Sequence, residues 1–152
     1  MTIIPDGPRC RCGNHGCLEA LVSNEALLRR AREEAGDYAP TTIEDLAALT
    51  RQHISWAVKI AIQEAGTWYG IALANVINVF SPQAVIIQGD AVKFGEELCQ
   101  KINETIMERA LKISGYHCPV LFSTLGPDVG IRGAATFVIQ EALGIMPIAP
   151  DL

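Results

Sequence analysis

Apolar residues recur every three or four positions along most of the chain, and two short apolar runs interrupt that period. From Leu18 onward, Leu27, Leu28, Ala31 and Ala35 form a stripe opposite Arg29, Arg30, Arg32 and Glu33, which predicts one or two amphipathic helices stopping at Gly36. Thr41 followed by Glu44 predicts a capping box that opens a short helix carrying Ile43, Leu46, Ala47 and Leu49. The longest periodic run, from about Ser55 to Phe80, sets Val58, Ile62, Ala65, Trp68, Ala72, Val76 and Val79 at helical steps and predicts a central, largely buried helix. Gly66, Gly70 and Ala74 share one face of it. A helical glycine costs about 1 kcal/mol relative to alanine, so this face is expected to hold a close backbone approach.

Pro82 closes that element. The apolar, β-branched run Ala84 to Gln88 predicts a buried strand ending at Gly89, and Pro119 to Ser123 predicts a second strand. Between them an amphipathic helix is expected from about Phe94 to Ser114, with Leu98, Ile102, Ile106 and Leu111 on its apolar side and Gly115 as its stop. A last helix runs from near Asp128 to about Leu143 before Gly144. Gly130 and Gly133 in its first turns suit either packing or an anion at free backbone N–H groups. The order of helices, strand, helix, strand, helix is an α/β pattern in which helices cross over between parallel strands. No repeat or linker divides it, so residues 1–152 are expected to form a single unit with an irregular loop at 5–19 and a helical and α/β lobe at 20–145.

Composition narrows the partners. With 152 residues, 49% hydrophobic and 19% charged, the chain can bury a substantial core. A formal charge of -5 and a pI near 5.1 lack the clustered basic groups that phosphate binding needs, so this segment is not expected to bind nucleic acid. Its longest apolar stretch, Ile71 to Ile77, is broken by Asn75 and Asn78 well short of the ~20 residues that span a bilayer. No membrane helix is expected, and the absence of a secretion signal pattern points to the cytoplasm.

The chemistry is concentrated near the start. Pro5, Gly7, Pro8, Gly13 and Gly16 make Thr2 to Gly16 an irregular loop that something other than a core must order. Three of the five cysteines, Cys10, Cys12 and Cys17, fall within eight positions, a spacing that fits a metal cluster better than a disulfide framework. Such thiols can deliver sulfur to one tetrahedral Zn²⁺; the alternative is that they stay reduced and unliganded. His15 is a candidate fourth ligand, although His15-Gly16-Cys17 is a short segment for ligation from both ends. Cys99 and Cys118 read as buried apolar residues. His53 and His117 have no partner at a telling spacing, and no nucleophilic catalytic set is assignable.

The string Pro5-Asp6-Gly7-Pro8-Arg9-Cys10-Arg11-Cys12-Gly13-Asn14-His15-Gly16-Cys17-Leu18-Glu19 resembles the signature of the ROK (repressor, ORF, kinase) family of sugar-sensing repressors and sugar kinases. The resemblance continues at Asn75 to Pro82, at Val85-Ile86-Ile87 and at Leu125 to Ala135, and so covers most of the chain. It is similar above all to the repressor branch. It implies the C-terminal half of an actin-like, ribonuclease-H-like ATPase domain, structural zinc at Cys10, Cys12 and Cys17, and a sugar or sugar phosphate contacted by Glu19. Without the resemblance, Glu19 is an ordinary acid in the first turn of a helix. In the family a histidine upstream of the loop supplies the fourth zinc ligand, and an Asn-Asp pair farther upstream supplies the catalytic aspartate of the kinases. Neither lies in this chain, which is therefore read as a C-terminal fragment whose fourth zinc position falls to water, His15 or another residue.

The resemblance further implies the effector-binding and dimerisation part of a transcriptional regulator, a homodimer that meets DNA only through a separate N-terminal domain. The alternative is the C-terminal part of an ATP- and Mg²⁺-dependent sugar kinase, so enzymatic activity stays open. Where such kinases carry a run of glycines after a strand, this chain has Ile86-Ile87-Gln88-Gly89-Asp90-Ala91. An aspartate there repels phosphate and reads instead as an N-cap for the next helix, which tells against ATP.

Overall fold

A computed structural model describes residues 1–112, 118–126 and 128–145. The expected roles of Gly115 as a helix stop and of His117, and Pro127 of the family-like string, lie outside the described residues. The chain divides into two compact units, Met1–Phe122 and Ser123–Leu152.

The first unit is organised on the long periodic run, which forms α4, Trp56–Phe80, with ten buried residues and Ser55 as its N-cap. Before it come α1 (Leu18–Val22), α2 (Asn24–Ala35) and α3 (Ile43–Gln52). Ser23 separates α1 from α2 because its hydroxyl accepts from the Ala26 amide, and Gly36 ends α2 at φ 57°. The cap of α3 is displaced by one residue from the expected Thr41–Glu44 box. Thr42 accepts from the Asp45 amide at 3.1 Å and donates to the Asp45 carboxylate at 2.7 Å. α2 is tied to α4 by Arg30, whose guanidinium reaches Glu64 and Glu34 at 2.6 Å each.

α5, Gly95–Arg109, makes the most extensive packing in the unit, along α4. The glycine face is the reason. A Cβ at Gly70 would clash with Thr105 Cβ and stand 3.0 Å from the Ile102 carbonyl oxygen, and one at Gly66 would meet Lys101 Cβ at 2.7 Å. Ile62, Leu98 and Ile102 fill the space around this contact and are essentially inaccessible; burying each contributes about 1.5–3 kcal/mol. α5 ends five residues before the expected Ser114. Asn78 of α4 intervenes: its Oδ1 accepts from the Leu111 amide at 2.8 Å while its Nδ2 donates to the Arg109 carbonyl at 3.5 Å, drawing the chain out of the helix.

The two predicted strands are β1, Val85–Ile87, and β2, Val120–Phe122, paired in parallel with Val85 opposite Val120 and Ile87 opposite Phe122. Parallel pairing requires a crossover, and α5 lies within it. The expectation of a wholly buried first strand is corrected. Ile87 and Val120 enter the core, but Ile86 and its neighbour Leu121 are 66% and 51% exposed, because successive side chains point to opposite faces and only one face of this sheet is packed.

The second unit contains α6, Val129–Ala142, with Gly130 and Gly133 in its first turns. Gly144 follows at φ 63°, a conformation that lets the Ile145 amide return to the Gln140 carbonyl at 2.9 Å.

Candidate metal centre

The irregular opening loop is knotted by its own backbone. Ile3 and Ile4 donate to the Gly16 carbonyl at 2.7 and 3.2 Å, Gly16 donates to Pro8 at 2.8 Å, and Leu18 donates to Met1 at 2.9 Å. Gly16 sits at φ 60° with the Ile4 carbonyl where a Cβ would be, so no other residue fits there. Arg9 and His15 face each other in an antiparallel bridge, inside which Cys10 donates to Asn14 at 2.8 Å and Gly13 to Cys10 at 3.0 Å. This tight turn carries Cys10, Arg11 and Cys12 back toward Cys17, the residue that opens α1.

The three sulfurs therefore converge, all within 4.8 Å of one another. Cys12 Sγ and Cys17 Sγ are 3.6 Å apart, and all three cysteines are free. That separation is far beyond the ~2.05 Å of a disulfide. It is close to the ~3.8 Å expected between two sulfurs that each lie ~2.3 Å from a tetrahedral zinc ion. Cys10 and Cys17 are buried and Cys12 is exposed, so the group is closed on its protein side. The Asn14 backbone amide, followed by the Cys10 and Cys17 thiols, holds the Cys12 thiol below its ordinary value. Burial, followed by the Cys12 and Cys10 thiols, pushes Cys17 up. Three free thiols gathered at this spacing, two of them buried, are a donor set that fits Zn²⁺. His15 is exposed and does not join the group among the described residues.

Beside the thiols opens a cleft of about 490 Å³ lined by Arg9, Cys10, Arg11, Glu19, Ser23, Asn24, Glu25 and Arg29. Glu19 lies in the first turn of α1 and its carboxylate is paired with the Arg11 guanidinium, which this contact holds above its ordinary value. Asn24, at the start of α2, donates to Asp90 at 2.6 Å. Asp90 is corrected from its expected role: it caps no helix, but opens a 3-10 turn, Asp90–Phe94, ahead of α5. Its other carboxylate oxygen takes Lys93 at 2.6 Å. Lys93, then Asn24, hold the Asp90 carboxyl below the usual carboxylate range.

Sequence reading missed Arg11 and Asn24 as cleft residues. Arg11 was legible only as the residue between two thiols, and the Asn24–Asp90 contact joins positions 66 apart. Two smaller expectations change as well. Cys118 is buried but Cys99 is only half-buried, with Asn103 donating to its sulfur at 3.5 Å. His53 does have a partner, since its Nδ1 lies 3.3 Å from Glu97 Oε2, a residue far along the chain. Among the described residues, no helix is long and apolar enough to cross a membrane.

The chain is similar to known proteins along nearly its whole length. The xylose repressor of Bacillus spizizenii is 32% identical over 146 residues, 96% of this chain and 37% of the repressor. The glucokinase of Thermotoga maritima is 31% identical, over 95% of this chain and 49% of the enzyme. The crystal structure of a ROK family transcriptional regulator, a homolog of the E. coli MLC protein, superposes with a TM-score of 0.80 at 29% identity, covering 94% of this chain and 37% of that one. The chain thus spans less than half the length of these relatives. A model of the ROK family matches residues 1–141, nearly the whole sequence, and the chain belongs to that family.

Proposed function

We propose that this chain is the sugar-binding portion of a ROK transcriptional regulator, the C-terminal half of an actin-like domain with structural zinc at Cys10, Cys12 and Cys17. The observation that carries the reading is the shared wall: Cys10 and Glu19 line one cleft, and the loop that gathers the thiols delivers the acid. A carboxylate suits sugar hydroxyls because its oxygens accept charge-assisted hydrogen bonds. Zinc, when bound, supplies a cross-link that orders the loop; it performs no chemistry on the sugar. The sugar closes the domain and biases the spacing of DNA-reading elements in a homodimer, those elements belonging to a part of the protein outside this chain.

The relatives include both repressors and kinases, and Asp90 favours the former. Its carboxylate, held charged by Lys93 and Asn24, stands in the turn after β1 where a kinase brings phosphate against backbone. Calorimetry on the protein expressed from its complete gene, with D-xylose and D-glucose as probes, tests the sugar reading. Binding of one of them at micromolar to millimolar affinity, without coupled ATP turnover, is the expected result. ATP-dependent phosphorylation of either sugar would replace the regulator by the kinase, and absence of zinc from reduced protein would remove the metal.

A further inference from the structure

We infer that Arg11 is the positioning residue through which the thiol loop aims Glu19 into the cleft. The inference rests on the sugar-binding reading of Glu19 and extends it to a second residue. Arg11 stands between Cys10 and Cys12, so its backbone is set by the same turn that brings those thiols to Cys17. Its guanidinium crosses to the Glu19 carboxylate, eight residues away, and both side chains line the cleft. Among the described residues Arg11 is the sole side-chain partner of Glu19.

The exposure of the pair says what it is for. With side chains 87% and 51% accessible, the ion pair is screened by water and contributes little to folding. Its consequence is orientation. The guanidinium engages Oε1 and leaves Oε2 without a side-chain partner among the described residues, so the acid keeps acceptor capacity for the hydroxyls of a sugar. The contact is made by one guanidinium nitrogen on one carboxylate oxygen, so a lysine ammonium can supply the same charge-assisted bond where an alanine cannot. Gathering the thiols therefore places Arg11, and Arg11 places the acid, which gives the metal loop a route to ligand affinity that does not pass through the stability of the core.

The test uses the protein from its complete gene, unsubstituted and as R11A and R11K, with D-xylose and D-glucose as probes. R11A is expected to raise the Kd of whichever sugar binds by about tenfold, with zinc content and thermal midpoint unchanged, and R11K is expected to recover affinity to within about threefold. A sugar-free readout stands beside it: the carboxyl carbon resonance of Glu19 should move in R11A and hold in R11K. Unchanged affinity in R11A overturns the inference even if the resonance moves, and so does loss of zinc from R11A, because Arg11 would then serve the loop alone. If neither sugar binds the unsubstituted protein, the sugar reading falls. The resonance then decides whether Arg11 holds Glu19.

Discussion

The contact between α4 and α5 and the loop at residues 1–17 reach order by opposite means. Along α4, order comes from removing side chains: Gly66 and Gly70 let two helices touch, and Ile62, Leu98 and Ile102 seal the seam. In the loop the buried side chains are those of Cys10 and Cys17, and order comes from backbone hydrogen bonds, from Gly16 and from three converging thiols. Packing of the first kind is spread over many residues and tolerates no change in volume. Order of the second kind hangs on a few directional contacts, and its loss is expected to leave the α4–α5 seam in place. On the proposed sugar-binding reading, a ligand site gains from that arrangement, since a cleft on a pinned loop can respond to its occupant while the scaffold stays rigid.

The largest effect should come from the seam. Ile102→Ala is expected to lower stability to denaturant by about 2–5 kcal/mol through lost burial and the cavity left behind, while the zinc content of the folded protein is unchanged; loss of metal in that variant would show that the two regions are not independent. Chelation comes next. On the proposed zinc reading, removing the metal costs about 3 kcal/mol when free zinc had stood at a hundred times its Kd. Hydrogen exchange should show the loss first at the Cys10, Gly13 and Gly16 amides and only later along α4. Exchange rising equally in both regions would break the comparison.

Gly70→Ala is expected to cost about 1–3 kcal/mol by overpacking against Thr105, read from the thermal midpoint, whereas Gly13→Ala, open to solvent but at φ 95°, should be felt in the loop alone. The smallest effect belongs to Asp90. Its carboxyl is held down by Lys93 and then Asn24, so its contribution to stability is present above the usual aspartate range and fades as pH falls through its lowered value. With a side chain 41% exposed the contribution is ~0.5 kcal/mol or less. Asp90→Asn should flatten that acid limb of a stability-against-pH curve and leave the neutral region alone.

Helix periodicity made the scaffold readable. α4 and α6 lie within a residue or two of their expected bounds, and α2 stops where expected, because stripes such as Val58, Ile62 and Ala65 and stops such as Gly36 and Gly144 act locally. The failures are places where a distant residue decided. Asn78, more than thirty residues away, ends α5 early. The exception is local: Thr42 displaces the expected Thr41 because its hydroxyl is the one that meets the Asp45 amide. The thiol trio was legible as a spacing, but the cleft was not, since Arg11, Asn24 and Arg29 become neighbours of Glu19 only after α1 and α2 fold back on the loop.

What the amino-acid order determined by itself was the set of elements, the glycine face of α4, the parallel sense of the two strands and the three thiols, all consequences of local periodicity and short spacing. Tertiary structure alone decided where α5 stops, which face of β1 is covered, that Asp90 meets Asn24, and that Arg11 meets Glu19. Those contacts join side chains whose separation along the chain carries no periodic signal, so only the packed backbone could bring them within reach.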